Sequence, residues 1–189
     1  MLLIAAALLG LAGGLLTGGS VRNLLARRLR WPVAVIAAFL VRELLIRTPF
    51  GGLAVAPAVF VLSLAVLVAW TAWHRDELPG ILLVTIGVGM NLVVVALNGG
   101  RMPVDLAAAN RGPAQLGRTG VWAQYTLMGP GTVAGWLADR ILLPGPLGRL
   151  FPEAYSAGDL VSAAGLAVTL FLATRSRAPQ PRQDAITSR

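Results

Sequence analysis

The sequence predicts an all-α membrane protein with about five transmembrane helices and a structured outer loop. Three observations predict it. Of the 189 residues, 56% are hydrophobic, with a mean hydropathy of +0.73; only 13% are charged; and the apolar residues gather into long runs. Soluble domains carry roughly 25% charged residues, so a soluble fold of this size would lack the polar surface it needs. Roughly 20 apolar residues cross about 30 Å of hydrocarbon. Runs near 1–17, 31–46, 53–73, 78–97 and 158–174 meet or approach that length, which makes 1–174 a single integral membrane domain.

Composition also excludes chemistry. The chain has no cysteine, which removes disulfides, thiol catalysis and Cys-based zinc sites, and its single histidine, His74, leaves no His cluster; no metal and no cofactor is expected. All sixteen basic residues are arginine and the net charge is +8, but no basic stripe is interleaved with aromatics. Nucleic acid is therefore not expected. Arginines flanking apolar spans are explained by topology and by anionic lipid.

The first run, "MLLIAAALLGLAGGLLTGGS", has no basic n-region and places its arginines after the apolar stretch. That reads as an uncleaved first span with its N-terminus outside. The segment "SVRNLLARRLR" follows, with Arg22, Arg27, Arg28 and Arg30 among Val21, Leu24, Leu25 and Leu29 at helical spacing. It is either a short basic amphipathic helix on the cytoplasmic leaflet or a plain positive-inside loop; in both readings its arginines meet anionic head groups and fix the orientation.

The second span contains Arg42 and Glu43, adjacent and so about 100° apart around a helix. Near its outer end, snorkelling accommodates them. "HRDELPG" is a tight charged inner turn whose Pro79 and Gly80 start the fourth span. Trp70, Trp73, Trp122 and Trp136 are expected in interfacial belts. The tail, 175–189, is rich in Arg, Pro, Gln and Ser without periodicity and is expected to be disordered in the cytoplasm, free to meet a membrane or cytoplasmic protein partner.

This topology leaves an outer loop over 99–157, too long to lack structure of its own. Its middle, "VWAQYTLMGPGTVAGWLADRILLP", is apolar but broken at Gly129, Pro130 and Gly131. It reads as two short helices that re-enter the bilayer; if 121–143 crosses instead, the C-terminus moves outside. Paired glycines beginning at Gly13, Gly18, Gly51 and Gly99 allow close helix packing or turns.

The polar residues of the outer end carry the candidate site. Asn91 and Asn98 lie close to two helical turns apart, so both amides share a face; each finds a partner on another helix or lines a polar path or pocket. In "ALNGGRMPV", Gly99 and Gly100 supply a C-terminal cap, Arg101 sits at the carbonyl end of the helix, and Met102 and Pro103 stop continuation. The block is a helix terminator, and on a sharper reading it also holds Arg101 as an anion clamp toward the outer head groups. Asp139 lies in "GWLADR" and Asp159 in "SAGDL", where Ser156 or Asp159 can cap the last span. Asp139 and Asp159 are expected to converge on Arg101 in an ion network, either a functional site or a structural latch.

The succession "GGSVRNLLARRLRWP", "ELPGILLVTIGVGMNLVVVALNGGRMPV", "WLADRILLP" and "SAGDLVSAAG" resembles the domain-of-unknown-function 5317 family, small bacterial multi-pass membrane proteins. The similarity runs over nearly the whole chain, and its most specific part is Asn-Gly-Gly-Arg-Met-Pro-Val. The resemblance implies an integral membrane protein with no assigned activity, so it transfers no catalytic residue. The Arg42–Glu43 pair departs from the uniformly apolar second span expected there.

The expected protein is non-enzymatic and sits in the bacterial inner (plasma) membrane with its C-terminus in the cytoplasm. Its outward polar site comprises Asn91, Asn98, Gly99, Gly100, Arg101, Pro103, Asp139 and Asp159. The alternatives are a small transporter and an intramembrane enzyme acting on a phosphorylated lipid. The enzyme is the weakest of these, because its acids are scattered singly and His74 is placed inside.

Overall fold

A computed structural model describes residues 1–109 and 114–176. The chain is 65% helical. It opens with α1 (Leu2–Leu16), the five-residue α2 (Val21–Leu25), α3 (Pro32–Arg47), α4 (Ala56–Trp73) and α5 (Ile81–Leu97). The segment between α5 and the last helix holds β1 (Met102–Val104), α6 (Leu106–Ala109), α7 (Ala114–Thr119), β2 (Val121–Trp122), β3 (Tyr125–Leu127), β4 (Ile141–Leu142), α8 (Gly145–Leu150) and β5 (Ala154–Tyr155). The long helix α9 (Ala157–Arg175) follows. Two helices, α4 at 18 residues with hydropathy 2.0 and α9 at 19 residues with hydropathy 1.6, are long and apolar enough to cross a membrane, which is weak support for membrane association. The other apolar helices, α1 and α5, are shorter.

The packed pairs run α1–α9–α5–α4–α3, so α9 sits inside the row while α1 and α3 lie at its two ends. Small residues make this possible. The buried face of α9 consists of Gly158, Ser162, Ala163, Gly165, Thr169, Ala173 and Thr174. Glycines on both sides bring the backbones close: a Cβ on Gly10 of α1 would lie 2.7 Å from the Ala167 Cα of α9, and one on Gly165 of α9 would lie 2.6 Å from the Val84 N of α5. Backbones this close gain dispersion contact along their whole length without bulky knobs.

The turns at one end are held by polar pins. Arg27 is only 7% exposed. Its guanidinium donates to the carbonyl of Glu77, to the Ala173 carbonyl at 3.2 Å and to the Ser176 carbonyl at 3.0 Å, capping the carbonyl end of α9. His74 accepts from the Arg30 N–H at 2.9 Å and its other nitrogen lies 2.8 Å from the Trp70 carbonyl, so one neutral tautomer satisfies both. Trp70 donates back to the Arg30 carbonyl at 2.8 Å. Two expectations are corrected here. The basic helix stops at Leu25, because Arg27 turns inward to helix-end carbonyls while Arg22, Arg28 and Arg30 stay exposed. Trp70 is a hydrogen-bonded pin rather than a purely interfacial ring. Arg175 belongs to α9, and the remainder of the tail, 177–189, lies outside the described residues.

At the opposite end, the connection between α5 and α9 forms a β-containing lid, which corrects the expected pair of short helices over 121–143. Strand β3 lies between β1, with which it is parallel, and β2, with which it is antiparallel; β4 and β5 form a separate hairpin. The only helical turn within 121–143 is a 3-10 turn at Gly135–Leu137. The segment pairs as strands because backbone groups in a buried irregular segment need partners, and β1 provides a row of them. Phe60 and Leu64 of α4, Val94 and Val95 of α5, and Met102 and Leu137 of the lid form one buried cluster, so lid and helices share a core.

Glycine placement gives a direct test. Gly10→Leu should lower the thermal unfolding midpoint in detergent, since overpacking typically costs about 1–3 kcal/mol. Gly89→Ala, where an added Cβ meets open space, should raise it slightly, because alanine favours helix by up to about 1 kcal/mol. Equal midpoints for the two variants would remove the case for close α1–α9 packing.

Candidate functional site

The "ALNGGRMPV" block does two structural jobs in succession. Asn98 ends α5, and Gly99 and Gly100 follow at φ 68° and 79°, left-handed values that favour glycine. The Gly100 N–H donates to the Val95 carbonyl at 2.9 Å, the long bond of a Schellman cap. An added Cβ on Gly100 would also sit 2.7 Å from the Pro57 Cβ of α4, so the turn packs directly on that helix. The chain then enters β1, whose Pro103 is fully buried. Met102 and Val104 bond to the β3 side; on the other edge the Pro103 carbonyl accepts from the Asp139 N–H at 3.0 Å and Asp105 N–H donates to the Asp139 carbonyl at 3.0 Å. The proline survives inside a sheet because this second edge carries a single bridge and does not need its missing N–H.

That bridge places Asp139. Asp139, 8% exposed, lines a partly open cavity of about 520 Å³ between the start of α1, the lid-side halves of α3 and α4, Asn91 of α5, the start of α9 and the lid. The size is typical of small-molecule sites. Its lining mixes apolar side chains, among them Leu3, Ile4, Phe39, Phe60 and Leu64, with the polar Arg42, Glu43, Asn91, Gln124, Tyr125, Asp139 and Asp159. Asp139 Oδ1 and Arg42 Nε are buried with no hydrogen-bond partner among the described residues. Burial, reinforced by the charge of Asp159 and only partly offset by Arg42, holds the Asp139 carboxyl well above the usual carboxylate range. Burial likewise pushes the Tyr125 phenol up to about 12, against the lowering influence of Arg42.

The candidate residues separate into two groups. Asn91, Asp139 and Asp159 come together at the cavity. Asn91 donates to Asp159 Oδ1 at 2.8 Å and accepts from the Ser156 hydroxyl at 2.8 Å. Ser156 and Asp159 also form a reciprocal capping box at the start of α9, at 3.1 and 2.9 Å. Asn98 stays outside: its amide donates to the Val133 carbonyl at 2.9 Å and accepts from the Val133 N–H at 3.0 Å, tying the lid to α5. Arg101 also stays outside, donating at 3.3 Å to the Ala123 carbonyl. The expected convergence of Asp139 and Asp159 on Arg101 is therefore corrected. The cation that faces both acids is Arg42, which turns inward with its guanidinium carbon 6.0 Å from the Phe60 ring centre instead of snorkelling. Gln124, Tyr125 and Arg42 were absent from the predicted site; a charge inside an apolar span was the available signal for Arg42. Among the described residues, no group of three or more His, Asp or Glu side chains is arranged to hold a metal.

These features define a helical protein with a cavity under its lid, lined by both apolar and ionisable side chains. The model of a family described as a family of unknown function, DUF5317, matches residues 27–171, and the chain belongs to that family. No curated protein and no solved structure matches it. The matched stretch contains Arg42, Asn91, Asp139 and Asp159, while α1 precedes it.

Asp139 gives a pH test with a definite sign. Because its folded pKa lies above the ordinary 3.8, the protonated form is favoured by folding; that contribution is complete below the unfolded value and is lost as pH rises through the folded one. Asp139→Asn should match the wild-type unfolding midpoint in acid and exceed it at neutral and alkaline pH. A variant less stable than wild type at high pH would contradict a neutral buried acid.

Proposed function

We propose that the chain is a multi-pass membrane protein of the bacterial plasma membrane that binds a small amphiphile in this cavity at the outer face, without catalysing a reaction on it. The observation that carries the reading is the cavity itself. Its apolar lining residues suit a hydrocarbon chain and its polar ones a head group, and both end helices of the row, α1 and α3, contribute to it.

Membrane placement rests on the outward surface. Large apolar side chains stand exposed on every long helix, among them Leu9 on α1, Ile36 on α3, Leu62 on α4, Ile86 on α5 and Val168 on α9. A water-soluble protein rarely leaves so much apolar surface uncovered. The helices α1 and α5, at 15 and 17 residues, are roughly 23 and 26 Å long, and local thinning of the bilayer accommodates such spans. The exposed Arg22, Arg28 and Arg30 gather at the end away from the lid, where cytoplasmic anionic lipid would meet them. This orientation puts the lid outside and the end of α9 inside. The shared cavity of Asp139, Asp159 and Arg42 keeps an enzyme or transporter for a phosphorylated lipid as the second reading.

The chain lacks cysteine, so single cysteines report topology cleanly. In whole cells, Val133→Cys should react with a membrane-impermeant maleimide and Arg28→Cys should react only after permeabilisation; the reverse pattern would refute the orientation. For occupancy, single-chain amphiphiles should raise the unfolding midpoint of protein held in phosphatidylcholine nanodiscs. Ile4→Trp, at a cavity-lining position 61% exposed and so tolerant of bulk, should abolish that rise. No rise with any amphiphile would sink the binding proposal.

A further inference from the structure

We propose that the polar lining of the cavity is an oxyanion site, holding the carboxylate or phosphate head of a single-chain amphiphile between Arg42 and Asp139. This rests on the amphiphile reading above and adds the chemistry of the head group.

The inference follows from which polar groups already have partners. Glu43 accepts from Arg47 at 3.0 Å and Glu153 accepts from the Tyr155 hydroxyl at 3.1 Å. Asp159 is engaged through both oxygens, by Asn91 at 2.8 Å and by the Ser156 N–H at 3.1 Å. None of these acids pairs with Arg42. Arg42 is left with a ring face and a buried Nε that lacks a partner, and Asp139 with a buried Oδ1 that lacks one. A buried donor without an acceptor costs about 1–3 kcal/mol, more when charged, and a ligand oxygen removes that cost.

The protonation of Asp139 then decides the sign of the ligand. With burial and Asp159 favouring its neutral form, Asp139 presents an O–H beside the guanidinium. The open valences are thus hydrogen-bond donors, while Tyr125 and Gln124 in the same lining already hydrogen-bond to each other. A set of converging donors around one cation complements an oxyanion, which can accept several short charge-assisted bonds at once. A cationic head would meet Arg42 as a like charge and offer its unpartnered Nε no acceptor, and a neutral alcohol would offer only an uncharged one. The hydrocarbon tail would lie against Leu3, Ile4, Phe39 and Leu64 of the same lining.

Anion binding and the Asp139 proton are therefore linked. The ionisable groups sharing the cavity with Asp139 are the Met1 ammonium before α1, which pairs with Glu153 at 3.1 Å, Arg42, Glu43 and Arg47 from α3, Tyr125 from β3, Glu153 and Tyr155 at β5, and Asp159 from α9. Rising pH that ionises Asp139 converts a donor into a repelling charge, so affinity for the anion should fall.

The test uses the full chain in phosphatidylcholine nanodiscs, titrated calorimetrically with laurate, dodecyl phosphate and dodecanol, which share one chain length, and with inorganic phosphate and acetate. Laurate and dodecyl phosphate should bind at least about tenfold more tightly than dodecanol, a difference of about 1.4 kcal/mol. Arg42→Met, which retains an apolar stem, should erase that preference while leaving dodecanol binding in place. Asp139→Asn keeps a donor without a charge and should retain laurate binding while removing its decline with pH. Dodecanol binding as tightly as laurate, or Arg42→Met leaving the preference intact in a protein of wild-type unfolding midpoint, would overturn the oxyanion site but not the amphiphile reading. Failure of all three chain-bearing probes would overturn both. Inorganic phosphate or acetate binding as tightly as the chain-bearing anions would overturn the lipid source and assign the site to a soluble anion.

Discussion

The arrangement of the whole molecule depends on how closely α9 can approach its two neighbours. In the proposed membrane setting apolar helices have no hydrophobic drive to associate, because lipid tails are as apolar as leucine; what remains is close packing and interhelical hydrogen bonding. The seam of α9 uses both. Gly158 faces Gly87 and Asn91 of α5, and Gly10 and Gly14 of α1 meet Ala167, Phe171 and Thr174. At the lid end this proximity brings the Asn91 amide within reach of Ser156 and Asp159, so a helix cap becomes an interhelical bond. Asp159 then holds the start of α9 and the end of α5 in one register. A larger residue at position 158 would push Asn91 out and open that register.

From this register the lid inherits its position. Helix α5 ends in a left-handed glycine pair packed on Pro57, which aims the chain into β1. Strand β1 is clasped by β3 on one edge and by Asp139 on the other. The acid at the cavity wall is thus placed by backbone hydrogen bonds, with no bond from its own carboxyl needed to fix it. A side chain positioned by its main chain can remain chemically unsatisfied, as Asp139 Oδ1 is, without the surrounding fold giving way.

How much of this is readable from the sequence varies with the range of the interactions. The apolar runs mark the long helices, since burial and 3.6-residue periodicity are local signals. The cap at Asn98–Gly99–Gly100 is equally local, and so is the Ser156–Asp159 box. The lid is not: its strands are two or three residues long, too short for an alternating pattern, and Gly129, Pro130 and Gly131 look like helix breaks when they lie in a loop beyond a strand. Partner choice is less readable still. Arg101 looked like the cation of the site because it follows a conspicuous turn, yet its side chain goes to the Ala123 carbonyl. Arg42 looked like a snorkelling residue, yet the packing of α3 on α4 turns it toward Phe60 and the cavity. Arg27 looked like one of four surface charges until the early end of α2 freed it to cap α9. Each error concerns where a long side chain points, which depends on residues tens of positions away.

The difference between a latch and a binding site lies in whether the charges close on one another. A latch gains its energy from contact: buried opposite charges offset their desolvation only when geometry is good and their remaining valences are filled. Here the acids near Arg42 take other partners, Glu43 with Arg47 and Asp159 with Asn91 and Ser156, and Asp139 stays unbonded through its Oδ1. The groups that do fasten the lid are elsewhere and mostly uncharged: Asn98 to Val133, Trp122 to the Ile46 carbonyl, and the β1 ladder. With the lid already secured by those bonds, the buried Arg42 Nε and Asp139 Oδ1, each without a partner among the described residues, add no holding strength and carry a solvation cost, so the charges around them do not act as a latch.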